Sequence, residues 1–126
     1  MKDEKNADLM LRTKTFSLRI IRLYSKLPKS TVAQVIGKQV LRSATSVGAQ
    51  YREANRAKSH ADFISKIEGC LQELDEPKYW LELLVESGII KSELMADLFV
   101  EVDELISIFV SIVKSVKSKP KLSKNL

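Results

Sequence analysis

Cysteine and histidine are nearly missing: Cys70 and His60 stand alone in 126 residues. A lone cysteine excludes an internal disulfide, and a lone histidine leaves no zinc-type ligand set, so a reducing cytoplasm suits the chain. Glycine and proline are scarce too, with 4 and 3 residues. Little material remains for turns, which points to an all-α protein. No apolar run approaches the roughly 18 residues of a membrane span, and the charged start Met1-Lys2-Asp3-Glu4-Lys5-Asn6 is not followed by the apolar stretch of a signal peptide. No glycine-rich phosphate loop is present either.

Charge is plentiful and unevenly placed. The formal total is +5, yet residues 1–58 hold thirteen Lys and Arg against four Asp and Glu, and residues 59–104 hold three against twelve. The remainder carries Lys114, Lys117, Lys119, Lys121 and Lys124 with no acid. Such a split produces a basic surface for nucleic acid, or two complementary surfaces that pair within or between subunits.

The stretch from Arg42 to Ala54 organises the chain. Most of its residues are small, while Val40, Ala44, Val47, Tyr51 and Ala54 keep the spacing of one helix face. It reads as a buried helix that lets its neighbours come close. Before it, a first helix is predicted from about Asp8 to Leu27, with Leu9, Phe16, Ile20, Leu23, Tyr24 and Leu27 on its apolar side. On another side Lys5, Arg12, Arg19 and Lys26 recur every seven residues and Arg22 joins them, a basic stripe. Pro28 breaks this helix, and Ser30 or Thr31 caps the second, which carries Ala33 to Ala54 and ends near Ala57. A third begins at Ser59-His60-Ala61-Asp62, a capping-box pattern, and runs through Pro77 to Gly88. The fourth starts at Ser92-Glu93 and buries Leu98, Val102, Leu105, Phe109, Ile112 and Val116. Residues 118–126 read as a basic disordered tail.

Four amphipathic helices with short turns predict an antiparallel up-down four-helix bundle over residues 1–117. If helices two and three form a hairpin about Ala57-Lys58-Ser59, facing residue numbers sum to roughly 116. Arg42 then falls opposite Glu73, Ser46 opposite Cys70, and Gly37 leaves room for Trp80. Arg42, Ser46, Gln50, Glu73 and Glu76 are expected to form a structural polar network in which truncating Arg42 is costly.

Three ordered motifs carry a family resemblance: Arg42 to Ala54, Asp62-Phe63-Ile64-Ser65-Lys66, and Glu73-Leu74-Asp75-Glu76-Pro77-Lys78-Tyr79-Trp80-Leu81. Together they resemble the bacterial four-helix-bundle proteins encoded in intervening sequences of 23S ribosomal RNA genes. Gln50 stands where that family usually has Asn, and Pro77 where it usually has Ser or Thr. The architecture is similar to that of the accessory variability protein of diversity-generating retroelements, a pentameric barrel of bundles that binds nucleic acid and a reverse transcriptase. The resemblance therefore implies a homopentameric ring and nucleic acid as a partner.

No catalytic constellation accompanies these motifs. His60 with Ser59 and Asp62 is better explained by helix capping than by a triad, whose members converge from several elements. Glu73 and Glu76 resemble half of a carboxylate metal site but lack the histidines that complete it, so no metal or cofactor is expected. The reading is a non-enzymatic, oligomeric nucleic-acid-binding protein, RNA before DNA. Lys5, Arg12, Arg19, Arg22, Lys26, Lys117, Lys119 and Lys121 are its candidate phosphate contacts. The alternative is a structural or adaptor protein that binds another protein, its arginines pairing with acids such as Glu68, Asp75 and Glu82. With Leu122 as the one apolar anchor in the tail, no membrane partner is expected.

Overall fold

The computed structural model describes residues 3–118. Four helices account for most of them: α1 (Asp3–Ser25), α2 (Thr31–Ala54), α3 (His60–Glu86) and α4 (Ala96–Lys117), with a 3-10 turn at Ser92–Leu94 before α4. They form the antiparallel up-down bundle. Sequential helices pack as neighbours, and α4 returns beside α1 at a wider separation.

Local chemistry sets most boundaries. Ser30 accepts from the Ala33 amide and starts α2. Ser59 Oγ accepts from the Asp62 amide at 3.0 Å, while Asp62 Oδ2 accepts from the Lys58 amide at 3.2 Å, so the two side chains cap α3 between them. Gly88, with φ of +82°, closes α3: its amide donates to Val85 O and the Ile89 amide to Leu84 O. This is the Schellman arrangement, and it turns Ile89 and Ile90 back toward the bundle.

Three boundaries differ from the sequence expectation. Helix α1 begins at Asp3 rather than near Asp8, because the Tyr51 hydroxyl donates to Asn6 Oδ1 and ties the first turns to α2. Helix α2 ends at Ala54, not near Ala57, where the Arg56 and Ala57 amides bond three residues back and tighten the chain. The Ser92-Glu93 start is a separate 3-10 turn, since Met95, 1% exposed, is drawn into the core before α4 begins.

The core runs the length of the bundle. Phe16, Ile20, Val40, Val47, Ile67, Leu74, Leu81, Leu105 and Phe109 are fully enclosed, and Tyr51 meets Phe109 edge to face at 5.7 Å. Small residues in α2 close the packing, as at Gly48, where a β-carbon would lie 3.4 Å from Thr13 Oγ1 of α1. Ser43, Thr45 and Ser46 direct their hydroxyls to the carbonyls of Gln39, Leu41 and Arg42 one turn back, so burial leaves them satisfied. The α2–α3 register agrees with the hairpin estimate to within a residue, with Cys70 Sγ donating to Val47 O at 3.7 Å. Gly37 departs from expectation: its open side is filled by Tyr24 of α1 and Leu27 just after that helix, not by Trp80. Hairpin spacing assigns this face to α3 but cannot show that α1 reaches it.

Candidate nucleic-acid interface

From Lys5 to Arg22 the stripe covers about 26 Å of α1 at the helical rise, and Lys26 lies in the turn just after the helix. The fold divides this stripe into three environments. At the N-terminal end Lys5 is exposed beside Glu4 and Asp8, on a groove of about 790 Å³ between α1 and α4. At mid-helix Arg12 is clamped: Nη2 donates to Glu101 Oε1 at 2.7 Å and to Glu104 Oε1 at 2.8 Å, and Nε donates to Glu101 Oε2 at 3.3 Å. Hydrogen bonds to Glu101 first, then Glu104, hold the guanidinium above its ordinary pKa. Two carboxylates already neutralise this cation, which weakens its claim as a phosphate contact.

The C-terminal third is different. The side chains of Arg19, Arg22 and Lys26 make no ion pair or hydrogen bond with another described residue, and with Lys91 they surround a cleft of about 680 Å³. Leu23 of α1, Leu27 in the turn after it, Ile89 and Ile90 after the Gly88 turn, and Met95 and Leu98 line its apolar walls. Leu94 stands on the rim, 75% exposed. Lys91 was absent from the sequence-predicted set. The signal was available, because an up-down bundle places the α1–α2 and α3–α4 connections at the same end and so brings Lys91 beside Lys26.

Of the tail residues, Lys117 pairs with Glu68 at 2.7 Å, and Lys119 and Lys121 lie outside the described residues. Within one bundle, topology corrects the acids expected to receive the α1 arginines. Arg12 reaches α4, whereas Glu68 serves Lys117, because α1 and α3 stand diagonally across the bundle.

A family model described as 23S rRNA-intervening sequence protein matches residues 5–111. The chain belongs to this family. Its fold is similar to the crystal structure of a protein with unknown function from the S23 ribosomal protein family of Bacteroides thetaiotaomicron VPI-5482. That likeness has a TM-score of 0.81 and 38% identity, and covers 87% of this chain and 98% of that one. No curated protein matches. All four cations of the cleft fall within the matched range of the intervening-sequence family.

In this family member the polar groups on the α2–α3 seam form a smaller network than expected. Arg42 lies 2.7 Å from Glu76 and 3.8 Å from Glu73, and Gln50 Nε2 donates to Glu73 Oε2 at 3.2 Å. Ser46 stays apart, bonded to its own helix. Because the Arg42 side chain is 54% exposed, its pairs belong to the surface class, worth about 0–1 kcal/mol, and its truncation is inexpensive. The two glutamates thus face a cation. No group of three His, Cys, Asp or Glu converges as a metal site among the described residues. Ser59 and Asp62 are occupied with backbone amides, as capping requires, and burial pushes the Cys70 thiol up to about 12. No described helix is long and apolar enough to cross a membrane.

Proposed function

We propose that this member of the intervening-sequence family is a non-enzymatic, oligomeric nucleic-acid-binding protein of the cytoplasm, with RNA as its ligand. The observation that carries the reading is the convergence of Arg19, Arg22, Lys26 and Lys91 on one cleft without carboxylate partners. Four uncompensated cations repel one another, and a phosphate backbone relieves that repulsion while releasing its own counterions. The family's description, which names 23S rRNA, favours RNA over DNA. Lys5, about 21 Å from Arg19 along α1 and beyond the paired Arg12, is a separate and minor contact.

Assembly multiplies this contact. Leu11, Leu18 and Ile21 on α1, Val32 and Val35 on α2, Tyr79 on α3 and Val100 on α4 leave large apolar side chains exposed on each bundle, surface that another copy can cover. The ring of five implied by resemblance would present five clefts to one RNA, raising affinity through effective concentration.

The test is binding of a labelled structured RNA and a duplex DNA at two salt concentrations, with oligomeric mass measured by light scattering. Arg22→Glu/Lys26→Glu is the decisive variant, since neither side chain holds the bundle together. Binding that weakens steeply with salt and disappears in this variant supports the proposal. No binding by the assembled oligomer leaves the adaptor reading, which has the Arg12 clamp in its favour because it uses part of the stripe for pairing inside the bundle.

A further inference from the structure

Resting on the nucleic-acid reading above, we infer that the Arg19–Arg22–Lys26–Lys91 cleft seats an unpaired nucleotide, its phosphates on the cations and its base against the apolar wall. The charges alone do not require this. A duplex turns sugars and phosphates outward and keeps its bases stacked inside, so it would bridge the four cations and leave the space between them filled with water. That space is lined by Leu23, Ile89, Ile90 and Leu98, with Leu94 held out in solvent at the mouth. A splayed base from a single strand, loop or bulge covers this surface, and such bases are what sequence-reading RNA proteins usually grip. The gain is hydrophobic, because the cleft contains no aromatic ring on which a base could stack.

Size and spacing agree. The cleft's volume of about 680 Å³ lies inside the range of roughly 300–1,000 Å³ typical of small-ligand sites. Arg19 and Arg22 stand about 4.5 Å apart along α1, Lys26 follows in the turn just past its end, and Lys91 faces them from the α3–α4 connection. A backbone charged at every unit engages such a ladder more fully than the scattered carboxylates of an acidic peptide. The turn that completes the site is held by the Gly88 closure of α3, so the apolar wall and Lys91 are positioned together.

Fluorescence anisotropy at one salt concentration tests the inference with three probes of equal length, about twelve nucleotides. They are a single-stranded RNA, its duplex, and a strand of abasic sugar-phosphate. Leu94→Ser and Lys91→Ser are the variants, both at exposed positions, and circular dichroism checks their helices. The single strand is expected to bind about tenfold tighter than either other probe, as covering about 55 Å² of apolar surface supplies. Leu94→Ser should erode that preference several-fold while leaving duplex binding unchanged, and Lys91→Ser should weaken all three. Equal binding of the three probes, or a preference unmoved by Leu94→Ser, overturns the base seat but leaves the phosphate-binding reading intact. Binding of none overturns both, as does a cleft that takes an acidic amphipathic peptide of alternating Glu and Leu and refuses every nucleic acid.

Discussion

The α2–α3 seam and the α1–α4 seam are built from the same kinds of helix and end in opposite states. Between α2 and α3, small residues allow close approach, Cys70 reaches the Val47 carbonyl, and Gly69 leaves space that the Gln50 side chain fills. Between α1 and α4 the helices stand further apart, bridged at mid-length by Arg12 with Glu101 and Glu104, and grooves of about 790 and 680 Å³ open toward the two ends. A closed seam can supply stability but offers no place for a ligand. An open seam sacrifices packing and keeps both space and unneutralised charge. The candidate site lies where the bundle is least well sealed.

The sharpest way to break this contrast is to damage the closed seam. Leu74→Ala should cost about 2–5 kcal/mol, since Leu74 is fully buried and its neighbours cannot collapse into the void. Denaturant unfolding measures the loss. A cost under about 1 kcal/mol would mean that this seam is not the stabilising one. Next, Arg22→Ala/Lys26→Ala should lower RNA affinity about tenfold or more at low salt while leaving the unfolding midpoint unmoved. A shifted midpoint would show that these cations stabilise the fold after all.

Arg12→Ala should cost about 1 kcal/mol, an effect that shrinks as salt is added, because the clamp is partly exposed and open to screening. Hydrogen exchange in the same variant should quicken along α1 and α4 before the α2–α3 amides respond. Uniform quickening would erase the distinction between the seams. The smallest effect belongs to Cys70. Burial raises its thiol from 9.0 to about 12, so below pH 9 folded and unfolded chains are both protonated and the group contributes nothing to pH dependence. Between about pH 9 and 12 the unfolded chain loses a proton that the folded chain keeps, and stability falls as pH rises. The buried Tyr51 hydroxyl, also raised, adds to the decline. Unfolding midpoints at pH 8 and pH 10.5 should therefore differ less in Cys70→Ala than in the natural chain, and the native thiol should resist alkylation at pH 8.

Much of the fold was legible because its cues are local. Ser30 and Ser59 cap where they were expected to, Gly88 ends α3, and the α2–α3 register falls within one residue of a hairpin drawn from turn position alone. The site was legible only in part. Heptad spacing picks out Arg19 and Lys26, with Arg22 beside them, but groups them with Arg12, which the fold turns to another use, and it has no means of adding Lys91 from a distant part of the chain. The same holds at Gly37, since a gap in a side-chain pattern does not say which neighbour fills it.

By itself, then, the amino-acid sequence determined four helices, their caps and the faces they bury, because periodicity and capping act over a few residues of one chain segment. Tertiary structure alone decided which cations stay free. An arginine is neutralised only when a carboxylate comes within about 4 Å, and that depends on the neighbouring helix: α4 brings Glu101 and Glu104 to Arg12 and brings no acid to pair with Arg19, Arg22 or Lys26.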